Sequence, residues 1–335
     1  MRYWTQGFAL TNNPPYPGQE RFVRSAEDSP LQEVDAVDTE SPPTSIWGDA
    51  WKSLRRNPMF IVSAVLIAFI AVVVAFPGLF TSQDPTFCEL SQSLEHGRSG
   101  HPFGFDKQGC DVYSRVVYGA RASVAVGVLT TVFVVFIGGV IGAMAGFYGG
   151  WFDAIASRIT DIFFAVPFVL AAIIVLQVIK NLSNGTQGFV QGVGSVVLAL
   201  VLFGWPPIAR IMRGAVLSVK NSEYVDAATA IGATRRRNLI RHVVPNAAAP
   251  VIVIATVSLG IYIVAEATLS YLGLGLPGSV MSWGNDISQA QSLIRGGRNV
   301  GVLFYPAGAL GLTVLSFILL GEAVSEALDP KARKR

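Results

Sequence analysis

Apolar residues fall in six long runs, near positions 60–80, 122–147, 159–179, 193–211, 248–273 and 303–320, separated by polar stretches of very unequal length. Crossing roughly 30 Å of hydrocarbon takes about 20 mostly apolar residues in a helix, because only backbone hydrogen-bonded within its own segment survives there. Each run meets that requirement. The pattern predicts an all-α membrane protein whose six transmembrane helices occupy 58–330, with one long polar loop over 81–121 and a second over 212–246.

Ahead of the first run, Ile46, Trp47, Trp51 and Leu54 recur at helical spacing while Lys52, Arg55 and Arg56 point elsewhere. That arrangement suits an amphipathic helix over 45–57 lying on the inner leaflet, the other reading being a plain extension of the first span. Asn57 and Pro58 interrupt the pattern and favour the interfacial helix. Residues 1–44 hold no apolar run and carry Glu20, Glu27, Asp28, Glu33, Asp35, Asp38 and Glu40, so they read as a disordered cytoplasmic extension without a cleavable signal peptide. Residues 331–335 read as a basic cytoplasmic tail.

Within the runs, Gly138, Gly142, Gly146 and Gly150 recur every four residues and clear a groove along one helix face, where a second helix can approach closely. Such a seam serves static packing or a mobile contact equally well. Pro167 and the pair Pro206 and Pro207 lie inside the third and fourth runs, where a lost backbone hydrogen bond permits a kink.

Composition agrees with the bilayer as solvent: 51% of residues are hydrophobic and 14% charged, against roughly 25% charged in soluble domains. A net charge of +3 with dispersed basic residues offers no nucleic-acid surface. Lysine and arginine concentrate on cytoplasmic flanks. With both termini inside, 18 of the 25 basic residues fall on inner segments. The outer side keeps only Arg98, Lys107, Arg115, Arg121, Lys180, Arg295 and Arg298, which makes 81–121 extracytoplasmic.

That loop contains both cysteines, Cys88 and Cys110. An outside location permits a disulfide, whose closure of such a loop contributes on the order of 3 kcal/mol in the chain-entropy view; two unpaired thiols are the other reading. His96, His101 and His242 all lie in loops, and nothing has metal-ligand spacing. The spans hold serines but no histidine, which argues against an intramembrane hydrolase. No lysine follows a glycine, so a GxxxxGK[ST] phosphate loop is absent. Two acidic residues sit within spans and invite a functional reading. Asp161 follows Arg158 by three and is expected to pair with it. Glu266, deeper in the fifth span, either lines a polar path or bonds to Ser270 or Tyr262.

The second long loop is too polar for lipid and too patterned for a spacer. At its centre Glu223, Tyr224, Asp226, Ala227 and Ala228 are followed by Ile231, Gly232 and Ala233. The alanines favour a helix that Gly232 can end with a positive φ, Glu223 and Asp226 offer charge to a partner, and Arg235, Arg236, Arg237 and Arg241 anchor the return at an anionic leaflet. Asp226-Ala227-Ala228, then Gly232, then Val244-Pro245 resembles the EAA loop of ABC importer permeases. Asp226 stands where that family usually has Glu, and His242 where the general motif often has Ile.

Further segments resemble dipeptide and oligopeptide permeases, in the manner of the second of their two permeases. They are His101-Pro102-Phe103-Gly104, Gly109 through Arg115, Tyr118-Gly119-Ala120-Arg121, Phe203-Gly204-Trp205-Pro206, Ala265 through Gly275, Ser282-Trp283-Gly284 and Ala327-Leu328-Asp329-Pro330. Cys110 replaces an arginine usual in that family, which fits a bond to Cys88, and the acidic extension has no counterpart in a typical member. The resemblance implies the type I ABC importer permease architecture in a bacterial cell membrane. It also implies a non-catalytic subunit that pairs with a paralogous permease and receives peptide from an extracytoplasmic binding protein. Two ATPase subunits, or one fused ATPase, would bind ATP and Mg, leaving this chain without a cofactor. Glu223, Tyr224, Asp226, Ala227, Ala228, Ile231, Gly232 and Ala233 would then form the ATPase-coupling helix, and Glu266 a point on the translocation path. The same family includes nickel and opine importers; a secondary carrier is the reading from outside it.

Overall fold

The computed structural model describes residues 46–183, 188–294 and 300–328. The predicted acidic extension, the basic tail, Asp329-Pro330 and the side chains of Ile46 and Trp47 lie outside the described residues. Among those residues the regular structure is helical: α1 (Ile46–Leu54), α2 (Pro58–Ala75), α3 (Val112–Tyr148), α4 (Gly150–Ala165), α5 (Phe168–Leu182), α6 (Phe189–Val219), α7 (Glu223–Ala230), α8 (Arg235–Asn238), α9 (Val244–Tyr271), α10 (Trp283–Ile294) and α11 (Gly301–Leu328).

Helices α2, α3, α6, α9 and α11 are each long and apolar enough to cross a membrane. The third predicted span differs from its expectation: it is a broken pair, α4 and α5, bent by 87°. The cause is local. Pro167 has no N–H and disfavours helix at the residue before it, so Val166 turns extended (φ −95°, ψ 124°) and Pro167 caps the next helix. The same residue type acts differently in α6, which runs unbroken through Pro206 and Pro207. There the flanking turns are locked into the core by Leu200, Trp205, Ile208 and Ala209, all buried.

Both long loops are shorter than predicted. Helix α3 begins at Val112 and takes in the last ten residues assigned to the 81–121 loop. Helix α6 continues to Val219, well past the expected end of its span. On the return, helical structure resumes at Arg235 and passes through a single wide π-turn, Leu239–Val243, directly into α9. That turn lies just ahead of Pro245, whose ring and missing N–H would disrupt an ordinary α-turn. Helix α10 was not predicted.

Asn57 caps α2 by accepting from the Met59 N–H at 2.8 Å, with Pro58 in the first turn, which separates the short α1 from the span. Helix α2 buries only Ser63 and Ile70 and turns Val65 and Phe69 outward, leaving an apolar outer surface. At the centre lies the glycine seam. A Cβ on Gly138 would sit 2.6 Å from the Trp205 carbonyl oxygen, one on Gly146 2.8 Å from that of Arg213, and one on Gly142 would meet the Ala209 carbonyl oxygen. Gly150 is not part of it: with Gly149 it takes a positive φ at the turn into α4 and faces open space.

Replacing Gly142 by leucine is expected to cost about 1–3 kcal/mol by overpacking, read as a lower unfolding midpoint in detergent. Gly139→Ala, whose added methyl meets nothing within 4 Å, should leave the midpoint unchanged or slightly raised.

Candidate functional site

Helix α7 lies at one end of the bundle. Its position is set by Lys220, whose Nζ donates to the Gly146 carbonyl at 2.9 Å and so ties the end of α6 to the last turn of α3. Three residues on, α7 begins. Val225 and Ala228, one turn apart, are buried against the body of the protein. Glu223, Tyr224, Asp226, Ala227 and Ala230 face outward, and Ile231 at the tip is 89% exposed. Neither Glu223 nor Asp226 has a cationic partner among the described residues.

The predicted stop occurs as expected. Gly232 takes φ +92°, its N–H bonds to the Thr229 carbonyl and the Ala233 N–H to the Ala228 carbonyl, both at 3.0 Å. This is the two-bond closure that needs a left-handed residue at the glycine. Thr229 Oγ1 donates to the Val225 carbonyl at 2.9 Å and accepts from Asn238 Nδ2 at 2.8 Å, joining α7 to α8. Of the eight residues predicted to meet a partner, Ala228 is turned inward and Ala233 is half-buried; the other six share the exposed side and tip. Arg235, Arg236, Arg237 and Arg241 are exposed on the return.

A cleft of about 540 Å³ opens where α4 and α5 bend, walled by Phe163, Phe164, Pro167, Phe203, Pro207 and Tyr262 among others. The Tyr262 hydroxyl donates to the Gly204 carbonyl at 3.2 Å across the interface of α6 and α9. Glu266 does not border this cleft. Fully buried, it accepts from Ser123 Oγ at 2.9 Å and Ser270 Oγ at 2.8 Å, so the expected bond to Ser270 forms while Tyr262 bonds elsewhere. Ser123 Oγ also accepts from the Trp283 N–H and Ser270 Oγ from the Leu276 N–H, which draws α3, α9 and the segment leading into α10 around one carboxylate. Asp161 contacts Arg158 at 4.0 Å with both side chains well exposed; its closer partner is Arg210 of α6, at 3.1 Å.

At the opposite end of α3, Cys88 and Cys110 form a disulfide. Asp106 accepts from the Gln108 and Cys110 N–H groups, and Asp111 caps α3 through the Ser114 N–H at 2.9 Å. Arg115 then bonds Asp286 of α10 through Nε at 2.9 Å and lies 3.7 Å from Asp106. Burial pushes the Asp286 carboxyl above its ordinary value, and Arg115 opposes that rise. Sequence reading missed this pair. The partners are 171 positions apart, so no periodicity links them, although each belongs to or closely follows a segment that carries the family resemblance.

Long apolar helices, one broken span and an outward-facing small-residue helix define a helical membrane permease. Residues 138–334 match the family described as the binding-protein-dependent transport system inner membrane component, and residues 45–98 the N-terminal transmembrane domain of oligopeptide transport permease C. The chain belongs to the binding-protein-dependent transport system inner membrane component family. It is 35% identical over 300 residues to the oligopeptide transport system permease protein OppC of Bacillus subtilis (strain 168), covering 90% of this chain and 94% of that protein. It is 34% identical over 309 residues to the glutathione transport system permease protein GsiD of Escherichia coli O1:K1, covering 91% and 95%. The fold is that seen in inward-facing conformations of the MetNI methionine ABC transporter, with TM-score 0.53, 19% identity and coverage of 64% of this chain and 96% of that one. It is a non-catalytic subunit type with the type I ABC importer permease architecture.

Removing one member of a buried ion pair strands the other. Asp286→Ala is expected to destabilise the chain by about 3 kcal/mol, seen as a lower unfolding midpoint in detergent, and pairing it with Arg115→Leu should recover part of that loss.

Proposed function

We propose that this chain is a permease subunit of an ATP-driven importer of short peptides. The observation that carries the reading is α7, an eight-residue helix seated on the bundle through Val225 and Ala228 that offers Tyr224, Ile231 and two uncompensated carboxylates outward. A large exposed isoleucine at the end of a helix whose first turn carries two acids without a cationic partner among the described residues has a reason if a basic-rimmed protein cleft receives it. The peptide class is supported by the similarity to permeases named for oligopeptide and glutathione transport.

In this reading the arginine-rich end is cytoplasmic and the disulfide end extracytoplasmic. Two ATPase subunits, or one fused ATPase, hold ATP and Mg and grip α7; a paralogous permease completes the path; a binding protein delivers peptide from outside. Closure of the ATPases displaces α7 as a rigid body. Because α7 is joined to α6 through Ser222, whose hydroxyl bonds the Val219 carbonyl, and to α9 through α8 and the π-turn, the displacement enters both spans. The cleft beside the bend of α4 and α5 is then the part of the path this chain contributes, and Glu266 acts from within the polar knot above it.

Gly232→Val is expected to leave the chain inserted in the membrane while abolishing ATP-driven peptide uptake, because a β-branched residue resists the left-handed conformation the helix end requires. Uptake in membrane vesicles and co-purification of the ATPase in mild detergent check this. Wild-type uptake by that variant, or a purified wild-type chain that never retains an ATPase, would count against the assignment.

A further inference from the structure

Movement that enters α6 must reach the bend of α4 and α5 if the cleft is to open and close. Beside the bend the Phe163 ring lies 5.4 Å from the rings of Phe203 and Trp205 of α6, and over the rest of α4 packing on α6 is sparse. Of its sixteen residues α4 buries only Ala156 and Thr160. Between α4, α3 and α6 there is a second cleft of about 390 Å³, lined by Ser157, Thr160, Gly142 and Ala209 among others. What spans this gap is charge. Arg213 of α6 grips Asp153 in a two-point contact, with Nη2 2.7 Å from Oδ2, and Arg210 reaches Asp161 at 3.1 Å. The acids are eight positions apart on α4, about 12 Å along the helix, and the arginines three apart on α6, about 4.5 Å, so the pairs bracket the gap from both ends.

These contacts are partly exposed, with side-chain exposures of 36% and 20% in the first pair and 56% and 55% in the second. Pairs this open add little to stability. Charges on helices of a membrane bundle nevertheless mark functional faces by default. The Arg210 guanidinium also lies 4.2 Å from the centre of the Phe164 ring, and Phe164 walls the cleft at the bend. One arginine on α6 therefore touches both the acid that holds α4 and an aromatic side chain of the cleft.

We propose that Asp153–Arg213 and Asp161–Arg210 are positioning contacts that make α4 follow α6, so that displacement of α7 reaches the cleft at the bend. This rests on the permease reading above. Without the pairs, the ATPases would still cycle and α6 would still move, but α4 would lag. The pairs are couplings that persist through the cycle and do not need to part.

The test uses the whole assembly, the chain with its paralogous permease, ATPase subunits and binding protein, in proteoliposomes. Arg213→Glu should lower peptide moved per ATP hydrolysed about tenfold while ATPase activity stays within about twofold, and the exchange Asp153→Arg with Arg213→Asp should restore most of the ratio. An unchanged ratio in Arg213→Glu overturns the proposal. Should that variant fail to assemble, Asp153→Cys with Arg213→Cys decides: uncoupled as thiols, recoupled when joined by a short bismaleimide. Transport that is normal before joining, or abolished by joining, overturns it. A readout independent of substrate is ATP-dependent labelling of a Phe164→Cys variant, which should change through the cycle in the otherwise unaltered chain and lose that change with Arg213→Glu. Absence of peptide transport in the unaltered chain with intact labelling changes would fault the peptide assignment, whereas persistence of those changes in Arg213→Glu would fault the coupling.

Discussion

The close approach of α3 to α6 is the constraint on which the rest of the molecule depends. Lipid tails give two apolar helices no hydrophobic reason to associate, so contact in a bilayer comes from van der Waals fit between surfaces that come near enough. Gly138, Gly142 and Gly146 supply that nearness by leaving the backbone of α6 room at Trp205, Ala209 and Arg213. With the two long helices locked, Lys220 can reach the Gly146 carbonyl, and α7 is held at a fixed place under the bundle. The seam also lets α6 continue unbroken through two prolines, because packing on its flanks holds what hydrogen bonding alone would lose.

The two ends of the molecule are built on different principles. At the disulfide end, buried polar groups are cross-linked, Glu266 with Ser123 and Ser270, Arg115 with Asp286, Asp111 with the first turn of α3, and only single atoms such as Asp286 Oδ2 are left without a hydrogen-bond partner. Such networks fix one geometry, because any displacement strands a buried polar atom. At the arginine-rich end, ion pairs are half-open to their surroundings, clefts separate the helices, and α4 is packed lightly. The first arrangement resists change of shape more than the second.

Sequence made the spans legible because each long apolar run is fixed by the thickness of hydrocarbon, independently of tertiary detail. The stop at Gly232 was legible for the same kind of reason, since only glycine takes that conformation at little cost. The 87° break was legible only as a kink that Pro167 permits, because a proline states that a hydrogen bond is missing and leaves to the surrounding packing whether the helix bends or continues; Pro206 and Pro207 show the other outcome. The pairs Arg115 with Asp286 and Asp161 with Arg210 were invisible for a further reason, although the expected contact of Asp161 with Arg158 also forms. Their partners lie on helices far apart in sequence, and local spacing offered only Arg158 as a candidate for Asp161. The extra turns of α3 and α6 were hidden because Arg115, Arg121 and Arg213 interrupt the apolar runs there, although most of their neighbours are apolar.

The π-turn at Leu239–Val243 has a consequence for how the return segment tolerates change. The Val244 N–H reaches back five residues to the Leu239 carbonyl, and Asn246 Nδ2 caps the His242 carbonyl at 2.6 Å, so one residue is absorbed without breaking the helical path from Arg235 to Tyr271. In an α-helix each residue advances the azimuth by about 100°. Losing or gaining a residue in this stretch would therefore act as a rotation of the arginine-bearing turn about the α9 axis, and length here behaves as a gear setting in place of a spacer.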